Sequence, residues 1–573
     1  MSFTTKQASL LPKQAVKSTA ATTKKKNSFV LGSQRKASLT TSLGNGAVKF
    51  VTTNNDFVDD FGKISQYKAP RSYTDVSKTM STQWGQSPED CLRLLFYIRL
   101  ITRTVVLPDG SKTEAVQRGQ GLKHEGISRM LWLAINHPAT FYKNVVLFIS
   151  AGSWKDIIVM LSMDLQYHGW KDRKLDWDKL GKIIAAGLEN PRSSELVKKY
   201  LPQIKPTSKC NTLEAQADNM IGKWICSLIF GTKTGTNNGY TYKRYRQLKT
   251  SGTAHQWQKL ISQGKFLDID FDSVHGRALS QLVSGKFLAN KGLEARYQKW
   301  IETKPIAKFT GYVYELFKPL GTSTRQSTGS MKKYQIDTIN SQFMGLVETA
   351  KKGMNQESGL IVVLDTSGSM TSETQGTGCS AYSIGKSLAL FFSYLLKGAF
   401  EDHFLEFSNT TIMKTWKGST PVEKLVNETS SIIAGTNFLS VGDHFVKMLR
   451  QGVPVEDFPT GILCISDGCF NASTGRTTTK QLKINLLNGG FPQSYVDNFK
   501  IILWDIPNGH YGKAQTAFEE FSDAPNLFYL AGFDPSVVAF LTGIKGKDAV
   551  APKNAEELFA AAMDQEVLNL TQV

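Results

Sequence analysis

The spacing of apolar residues changes near Gly353, and this change limits the chain to two kinds of architecture joined end to end. Before this point, apolar residues recur at intervals of three and four over segments such as 90–103, 124–137 and 140–162. That is the period of amphipathic helices. After it, short apolar runs alternate with helical stretches such as 383–397. The sequence therefore predicts an all-α region followed by an α/β domain.

The α/β prediction rests on short apolar runs bounded by turn residues, found at 360–367, 403–408, 461–468, 500–507 and 526–532. Runs of this length that alternate with helices predict an open, doubly wound parallel sheet covered on both faces. Right-handed crossovers place the carboxyl ends of all such strands along one edge, where ligands usually bind.

The preceding helical pattern spans about residues 57–350, with short polar or glycine-containing turns between helices. Antiparallel helix pairs stacked side by side would give a HEAT-like helical-repeat domain, and a compact irregular bundle is the alternative. A chain of 573 residues also exceeds one ordinary domain. The predicted division is a basic N-terminal arm at 1–55, the helical domain at 56–355 and the α/β domain at 356–573.

Charge is distributed unevenly between the two halves. Residues 1–357 hold 53 Lys and Arg against 27 Asp and Glu, whereas residues 358–573 hold 15 against 22. Residues 1–55 contain nine basic residues and no acidic ones, which predicts a disordered or extended arm. An excess of this size predicts attraction to a polyanion, with nucleic acid first and an acidic protein or membrane surface as alternatives. A purely solubilising charge, and an arm without a partner, are the other interpretations.

Several function classes lack their sequence signatures. No apolar run is long enough to span a bilayer, and the N-terminus has no signal-peptide core, so a cytoplasmic protein without membrane contact is expected. The six cysteines form no CxxC pair, and neither a P-loop nor a GxGxxG turn is present. Ser367 has no evident histidine base, so no enzymatic activity is expected.

The strongest candidate site follows the first predicted strand. Alternate residues leaving a strand project to one side, so Asp365, Ser367 and Ser369 are expected to converge above its carboxyl end. Thr436 in the segment AGTNF and Asp467 in ISDG would add oxygens from neighbouring crossovers. Carboxylate and hydroxyl oxygens suit Mg²⁺, or Mn²⁺ or Ca²⁺, rather than zinc or copper.

This combination of DxSxS, GTNF and a strand ending in SDG resembles the metal-ion-dependent adhesion site (MIDAS) of von Willebrand factor A (vWA) domains, over most of residues 358–545. The resemblance implies a Rossmann-like vWA domain in which these five residues bind one cation. It also implies that a carboxylate of an acidic protein partner completes the coordination. A vWA fold without bound metal is the alternative.

A basic helical region followed by such a domain resembles the TROVE family, which includes the Ro autoantigen. The likeness lies in the segments 88–99, 121–133, 148–157 and 242–248. It implies a helical ring closed by the vWA domain that binds small noncoding or misfolded RNA in a ribonucleoprotein. Residues able to contact phosphates or stack on bases are Lys123, Arg129, Lys243, Arg244, Arg246, Lys249, Tyr242 and Tyr245. Tyr245 could equally be packed between helices.

A second hypothesis makes the chain a structural or cargo protein inside a viral (phage) particle. In that case the basic arm would contact packaged nucleic acid and the vWA domain would dock a neighbouring protein. The acid-free arm favours this hypothesis, because a ring does not need one. An enzymatic role as a nuclease or hydrolase is the third interpretation.

Overall fold

We describe the fold from a computed structural model, for residues 40–42, 48–50, 55–63, 71–231, 239–253, 255–309, 311–352, 359–374, 377–395, 400–430, 432, 435–467, 478–506, 525–531 and 552–573. Two compact units are distinguished, and the first contains Ile157–Thr253. The second contains Ser38–Asp156 and Ala254–Val573. The predicted boundary near residue 355 falls within the second unit, and the predicted domain division stays a prediction.

Helices dominate the chain before residue 352, as the apolar period predicts. In chain order they are α1 Asp56–Lys63, α2 Tyr73–Gln86, α3 Pro88–Arg99, α4 Lys123–Asn136, α5 Pro138–Ala151, α6 Trp154–His168, α7 Trp177–Glu189, α8 Ser194–Tyr200, α9 Leu213–Phe230, α10 Gly239–Thr253, α11 Gln256–Ser262, α12 Gly276–Ser284, α13 Phe287–Asn290, α14 Glu294–Glu302, α15 Val313–Phe317 and α16 Lys333–Lys351. Short antiparallel pairs are formed by β1 Thr40–Ser42 with β2 Val48–Phe50, and by β3 Ile101–Arg103 with β4 Gln117–Gln120.

The helix predicted at 90–103 is shorter than its apolar pattern suggests. It ends at Arg99, and the next residues enter β3, which pairs with β4. The pattern at 140–162 contains two helices, separated at Gly152. Asp156 accepts hydrogen bonds from the backbone and hydroxyl of Ser153. Asp156, the third residue of α6, therefore binds the N–H group of the residue just before the helix, as the acidic member of a capping box does.

A buried ion network ties the first helices of the second unit together. The Arg129 guanidinium on α4 is inaccessible to solvent and lies 2.6 Å from Asp60 Oδ2 on α1 and 2.9 Å from Glu125 Oε1. Arg71 reaches the same Glu125 from outside. Burial alone would raise the pKa of Asp60, but the two guanidinium groups and a hydrogen bond from Gln83 together hold that pKa below its ordinary value. The charges of this network compensate one another.

In the first unit, a buried carboxylate organises the chain between α6 and α7. Asp164 accepts hydrogen bonds from the backbone N–H groups of Lys174 and Leu175 and from the indole N–H of Trp177, at 2.9–3.2 Å. The Trp177 ring then packs edge-on against Trp224 of α9, with 4.7 Å between ring centroids. One acidic side chain therefore sets the direction in which α7 leaves the loop.

The α/β part contains a six-stranded sheet. Its strands are β5 Leu360–Asp365, β8 His403–Phe407, β9 Thr411–Thr415, β10 Gly461–Ser466, β11 Lys500–Asp505 and β12 Leu527–Ala531, in the spatial order β12-β11-β10-β5-β8-β9. Two strands of two residues each, β6 Glu373–Thr374 and β7 Cys379–Ser380, follow β5 and pair antiparallel. The later helices are α17 Ala381–Leu395, α18 Pro421–Asn427, α19 Leu439–Arg450, α20 Thr478–Asn488, α21 Gln493–Asn498, α22 Ala555–Met563 and α23 Glu566–Asn569.

All five predicted strands are confirmed, and the sheet has one strand more than predicted. Strand β9 pairs antiparallel with β8 at one edge, whereas the other neighbouring strands are parallel. Only Ser408–Thr410 separate β8 from β9, and so short a connection forces a hairpin because a parallel crossover needs a dozen or more residues. The predicted all-parallel sheet is therefore corrected to a mostly parallel one.

Both faces of the sheet are covered. On one face, Ile361 and Val363 of β5 join a core with Phe445 of α19 and Leu482 of α20. On the other face, α17 packs so closely that a Cβ at its Gly385 would lie 3.1 Å from Leu364. Strands β5 and β10 are buried along their whole length, which explains their continuous apolar sequence.

The C-terminal helices pack on the N-terminal helices within the second unit. Gln565, just before α23, accepts a hydrogen bond from the backbone N–H of Arg118 at 2.6 Å and donates one to its carbonyl at 2.9 Å. Phe559 of α22 contacts Phe61 of α1, with 5.6 Å between ring centroids. The two ends of this unit thus meet, a long-range contact that no local pattern indicates.

Membrane spans, cysteines and the N-terminal arm are three further features that the sequence brings into question. Among the described helices, none is long and apolar enough to cross a membrane. Five cysteines, Cys91, Cys210, Cys226, Cys379 and Cys464, are buried, and Cys469 lies outside the described residues. Most of the predicted arm at 1–55 is also outside them, although β1 and β2 pair within it.

Replacing Arg129 tests the ion network. Arg129→Ala leaves the carboxylates of Asp60 and Glu125 buried without their shared cation, so it should lower the free energy of unfolding by about 3–5 kcal/mol. Urea denaturation followed by tryptophan fluorescence measures this loss. Arg277→Ala, which removes an exposed pair with Glu315, should cost at most about 1 kcal/mol. Equal losses for the two variants would contradict the role assigned to Arg129.

Candidate metal centre

The first segment of the candidate site is the carboxyl end of β5. Asp365 is inaccessible to solvent, and its Oδ1 accepts a hydrogen bond of 2.8 Å from the backbone N–H of Ser367. A short 3₁₀ turn, Gly368–Thr371, follows, and the hydroxyl oxygens of Ser367 and Ser369 lie 3.1 Å apart. The DxSxS spacing therefore places a carboxylate and a pair of adjacent hydroxyls at the strand end, as the sequence predicts.

The second segment is the end of the neighbouring strand β10. Parallel register pairs Ile465 with Leu364, so the residues that follow, Ser466 and Asp365, leave their strands side by side. The hydroxyl of Ser466 donates to Asp365 Oδ2 at 2.5 Å. Asp467 comes next and is half-buried. One hydrogen bond thus joins the two strand ends that carry the candidate carboxylates.

The third segment holds Thr436 close to the end of β8. The backbone N–H of Asn437 donates to the carbonyl of Ser408 at 2.6 Å, and Thr436 is buried. Gly435 adopts a φ of +103°, and a Cβ there would lie 2.0 Å from Asn409 Oδ1. Glycine is favoured at 435, because other residues rarely adopt this backbone conformation and because a side chain there would displace Asn409.

The β5 and β10 ends concentrate negative charge. Burial, and then the nearby carboxylate of Asp467, raise the pKa of Asp365 to about 7, although hydrogen bonds from Ser466 and Ser367 favour its ionised form. Two neighbouring carboxylates at a buried strand end favour a cation between them, because a positive charge offsets both burial and mutual repulsion.

The donor set fits a hard divalent cation. Four of the five predicted side chains, Asp365, Ser367, Ser369 and Asp467, lie at the carboxyl ends of β5 and β10 or directly after them. The fifth, Thr436, lies in the segment after α18, which approaches the end of β8 through the hydrogen bond from Asn437 to Ser408. Every donor is an oxygen, the ligand type that Mg²⁺, Mn²⁺ and Ca²⁺ prefer. No group of three or more His, Cys, Asp or Glu suited to a metal is found in the described ranges. A cation here would therefore depend on hydroxyl oxygens as well as on two carboxylates.

Two residues near the site were missed by the sequence analysis. Ser466 holds Asp365 across the strands, and its signal was its position just before Asp467 in ISDG. Asp505 ends β11 opposite Ser466, so three adjacent parallel strands end in or beside an acidic residue. That repeated ending after an apolar run is visible in the sequence.

The predicted RNA contacts of Arg129 and Tyr245 are corrected by the structure. Arg129 is fully buried in the ion network of α4, so no phosphate can reach it. Tyr245 is also inaccessible, and its hydroxyl donates to the carbonyl of Pro202 at 3.0 Å. Burial raises the pKa of that hydroxyl far above its ordinary value. Both side chains belong to the packing of their helices.

The remaining predicted contacts differ in exposure. Lys249 Nζ donates to the carbonyls of Lys199 and Leu201, and so caps the end of α8. Lys123 and Tyr242 are half-buried. Three basic residues of α10 are exposed, and the helix contains no acidic residue; we call them the α10 basic face, and they are Lys243, Arg244 and Arg246. Arg244 also stacks on the Phe230 ring, 4.7 Å from its centroid.

Comparison with protein families matches part of the chain. A family described as a domain of unknown function, DUF2828, matches residues 43–184. No curated protein matches the chain. The matched segment covers α1 to α6 and part of α7, and it does not include the candidate metal centre.

Gly435 allows a test that leaves every candidate ligand in place. Gly435→Ala forces Asn409 away from the backbone that carries Thr436, so it should weaken Mn²⁺ binding by about 10-fold or more. Calorimetric titration of the full chain measures the affinity. Gly452→Ala is the matched control, because its φ of +93° is equally strained while its Cβ meets open space. The role of the 435–409 contact would be refuted if both variants bound Mn²⁺ as tightly as the wild type.

Proposed function

We propose that the α/β part of this chain is a vWA-like domain that binds one Mg²⁺ or Mn²⁺ ion and uses it to dock an acidic protein partner. The ion would be held by Asp365, Ser367, Ser369, Thr436 and Asp467. A hard cation with hydroxyl and carboxylate ligands can keep a coordination position for a carboxylate from outside. The proposed activity is binding, with the cation as the link between two proteins.

The observation that carries this proposal is the position of the donors in the sheet. Counted in chain order, the six strands lie in the order 6-5-4-1-2-3, with the first and fourth, β5 and β10, side by side. In sheets of this order the chain switches direction between those two strands, which opens a crevice at their carboxyl ends where ligands bind. Asp365 ends one of the two strands, and Asp467 follows the other.

Direct cation binding tests the first half of the proposal. The full chain should bind one Mn²⁺ in calorimetric titration, and Asp365→Ala should abolish the binding because it removes the buried carboxylate. Asp457→Ala, an exposed acidic residue of the same domain, should bind as the wild type does. Undiminished binding by Asp365→Ala would contradict the assignment.

Docking can be measured on a surface coated with polyglutamate, which presents carboxylates. Because the chain carries a formal charge of +19, some adsorption will not depend on metal. The proposal concerns the part of the adsorption that requires Mn²⁺ and is lost when EDTA removes the metal. That fraction should be present in the wild type and in Asp457→Ala and absent in Asp365→Ala. Retention that is insensitive to EDTA in all three proteins would count against docking through the metal.

RNA binding is a second candidate function, and the α10 basic face supports it. Three exposed cations on a helix that contains no acidic residue can contact phosphates. This interpretation keeps the expectation from the TROVE resemblance while dropping Arg129 and Tyr245. Packaging of nucleic acid in a viral particle rests on the arm at 1–55, most of which lies outside the described residues.

Neutralising the α10 basic face tests that candidate. The triple variant Lys243→Ala, Arg244→Ala and Arg246→Ala should weaken binding to single-stranded RNA and reduce the slope of log affinity against log salt by about 2, since each lost phosphate contact removes about 0.7. Fluorescence anisotropy over a salt series measures both. A control triple at the exposed Lys265, Lys286 and Lys299 removes the same charge and should leave the slope nearly unchanged. Equal effects of both triples would indicate attraction by net charge alone.

A further inference from the structure

Lys386 is a buried lysine that holds a distant segment of the chain. It lies on α17, its side chain is only 1% exposed, and its Nζ donates to the carbonyl oxygen of Glu428 at 2.6 Å. The Tyr382 ring lies one turn earlier, with its centroid 5.9 Å from Nζ. Burial lowers the pKa of Lys386 to about 8, although the Glu428 carboxylate acts in the opposite direction. Keeping this ammonium group in the interior therefore has a cost.

A second lysine binds the same residue from the sheet. Lys414 of β9 donates to Glu428 Oε1 at 2.8 Å and to the carbonyl of Thr429 at 3.0 Å, and its Nζ lies 3.0 Å from Glu406 Oε2. The two glutamates are buried, and the two lysines balance their charge. We call this set, Lys386, Lys414, Glu406 and Glu428, the Glu428 anchor. It fixes both the backbone and the side chain of Glu428.

The place of Glu428 in the chain links this anchor to the candidate metal centre. Glu428 follows α18 directly and begins the connection to Thr436. At the other end of this connection, Asn437 donates a backbone hydrogen bond to Ser408. Helix α17, which carries Lys386, also contacts the loop of the two serines, because the backbone N–H of Ala381 donates to the carbonyl of Ser372 at 3.0 Å. One helix therefore contacts both the loop of the two serines and the residue that begins the connection to Thr436.

Stability alone is a weak reason for a buried lysine at this position. An apolar side chain of similar volume commonly serves as well as a buried ion, or better, for holding a fold together. In contrast, removing a group that orients a metal ligand without touching the metal itself often lowers metal affinity about 10- to 100-fold. Lys386 touches no predicted ligand and acts through the Glu428 carbonyl.

We propose that Lys386 is a positioning residue for the cation site: by holding the Glu428 carbonyl at the start of the connection, it restricts where the Thr436 hydroxyl can lie at the end of that connection. This inference rests on the proposed cation binding at Asp365 and its neighbours, and it assigns that site a support outside its own ligands.

The test compares two buried lysines of the same domain. Lys386→Met should weaken Mn²⁺ binding by the full chain about 10-fold or more in calorimetric titration. Lys424→Met is the matched control, because Lys424 is also buried but pairs with Asp402 rather than with Glu428. The control should change the affinity less than about twofold, although it removes an ion pair. Circular dichroism establishes that both variants are folded.

A second readout does not depend on the metal. Without added cation, hydrogen exchange in peptides covering residues 435–440 should be faster in Lys386→Met than in the wild type or in Lys424→Met. If Lys386→Met does not fold, Lys386→Gln, which keeps an N–H donor but is too short to reach Glu428, replaces it in both measurements.

The outcomes separate the two proposals. Wild-type protein that binds no Mn²⁺ overturns the proposed function and this inference together. Wild-type binding that Lys386→Met retains unchanged, or that Lys424→Met loses equally, overturns the inference alone. Weaker binding in Lys386→Met, with faster exchange at 435–440 and a normal control, supports a positioning role.

Discussion

The parallel pairing of β5 with β10 is the constraint on which the rest of the α/β part depends. It joins two strands that are far apart in sequence and buried along their whole length, and it makes their carboxyl ends neighbours. The hydrogen bond from Ser466 to Asp365 exists only because the register places these residues side by side. Helices then cover both faces, so the acidic residues collect at the carboxyl end of this pair, where Asp365 is buried and Asp467 is half-buried.

Burial gives the charged groups of this protein their different roles. A charge taken out of water needs a partner, and the partner decides what the group can do. Arg129 forms ion pairs with Asp60 and Glu125, and these pairs hold its helices together. Asp365 meets serine donors and a second carboxylate, an arrangement that a cation would complete. Lys386 donates to a backbone carbonyl and thereby holds Glu428, where the connection to Thr436 begins.

The two proposed ligands, a cation and a polyanion, would use different chemistry and different elements. The donors for the cation come from strand ends of the second unit, whereas the α10 basic face belongs to the first unit. The α/β part has an excess of acidic residues, and the basic excess lies before residue 358. A metal site at β5 therefore does not account for the charge of the helical region, which is consistent with separate binding partners for the two.

Local sequence determined the secondary structure of this chain and most of the candidate site. Period-three-to-four runs became helices, short apolar runs became the five predicted strands, and the DxSxS spacing placed a carboxylate and two hydroxyls together. These outcomes depend on neighbouring residues, whose geometry is set by the helix and strand repeat. The apolar pattern did not predict strand β9. This strand, TIMKT, lies at the edge of the sheet and is only partly buried, so it lacks the continuous apolar run of a central strand.

Only the tertiary structure decided which basic and aromatic residues are available to a ligand, and which residues support the strand ends. Arg129 and Tyr245 sit in patterns that predict exposure as readily as packing, and their partners, Asp60 and Pro202, lie tens of residues away. The contacts of Lys386 with Glu428 and of Ser466 with Asp365 also join residues distant in sequence. The sequence determines what each side chain can do, whereas burial and long-range contacts select which of those possibilities is realised.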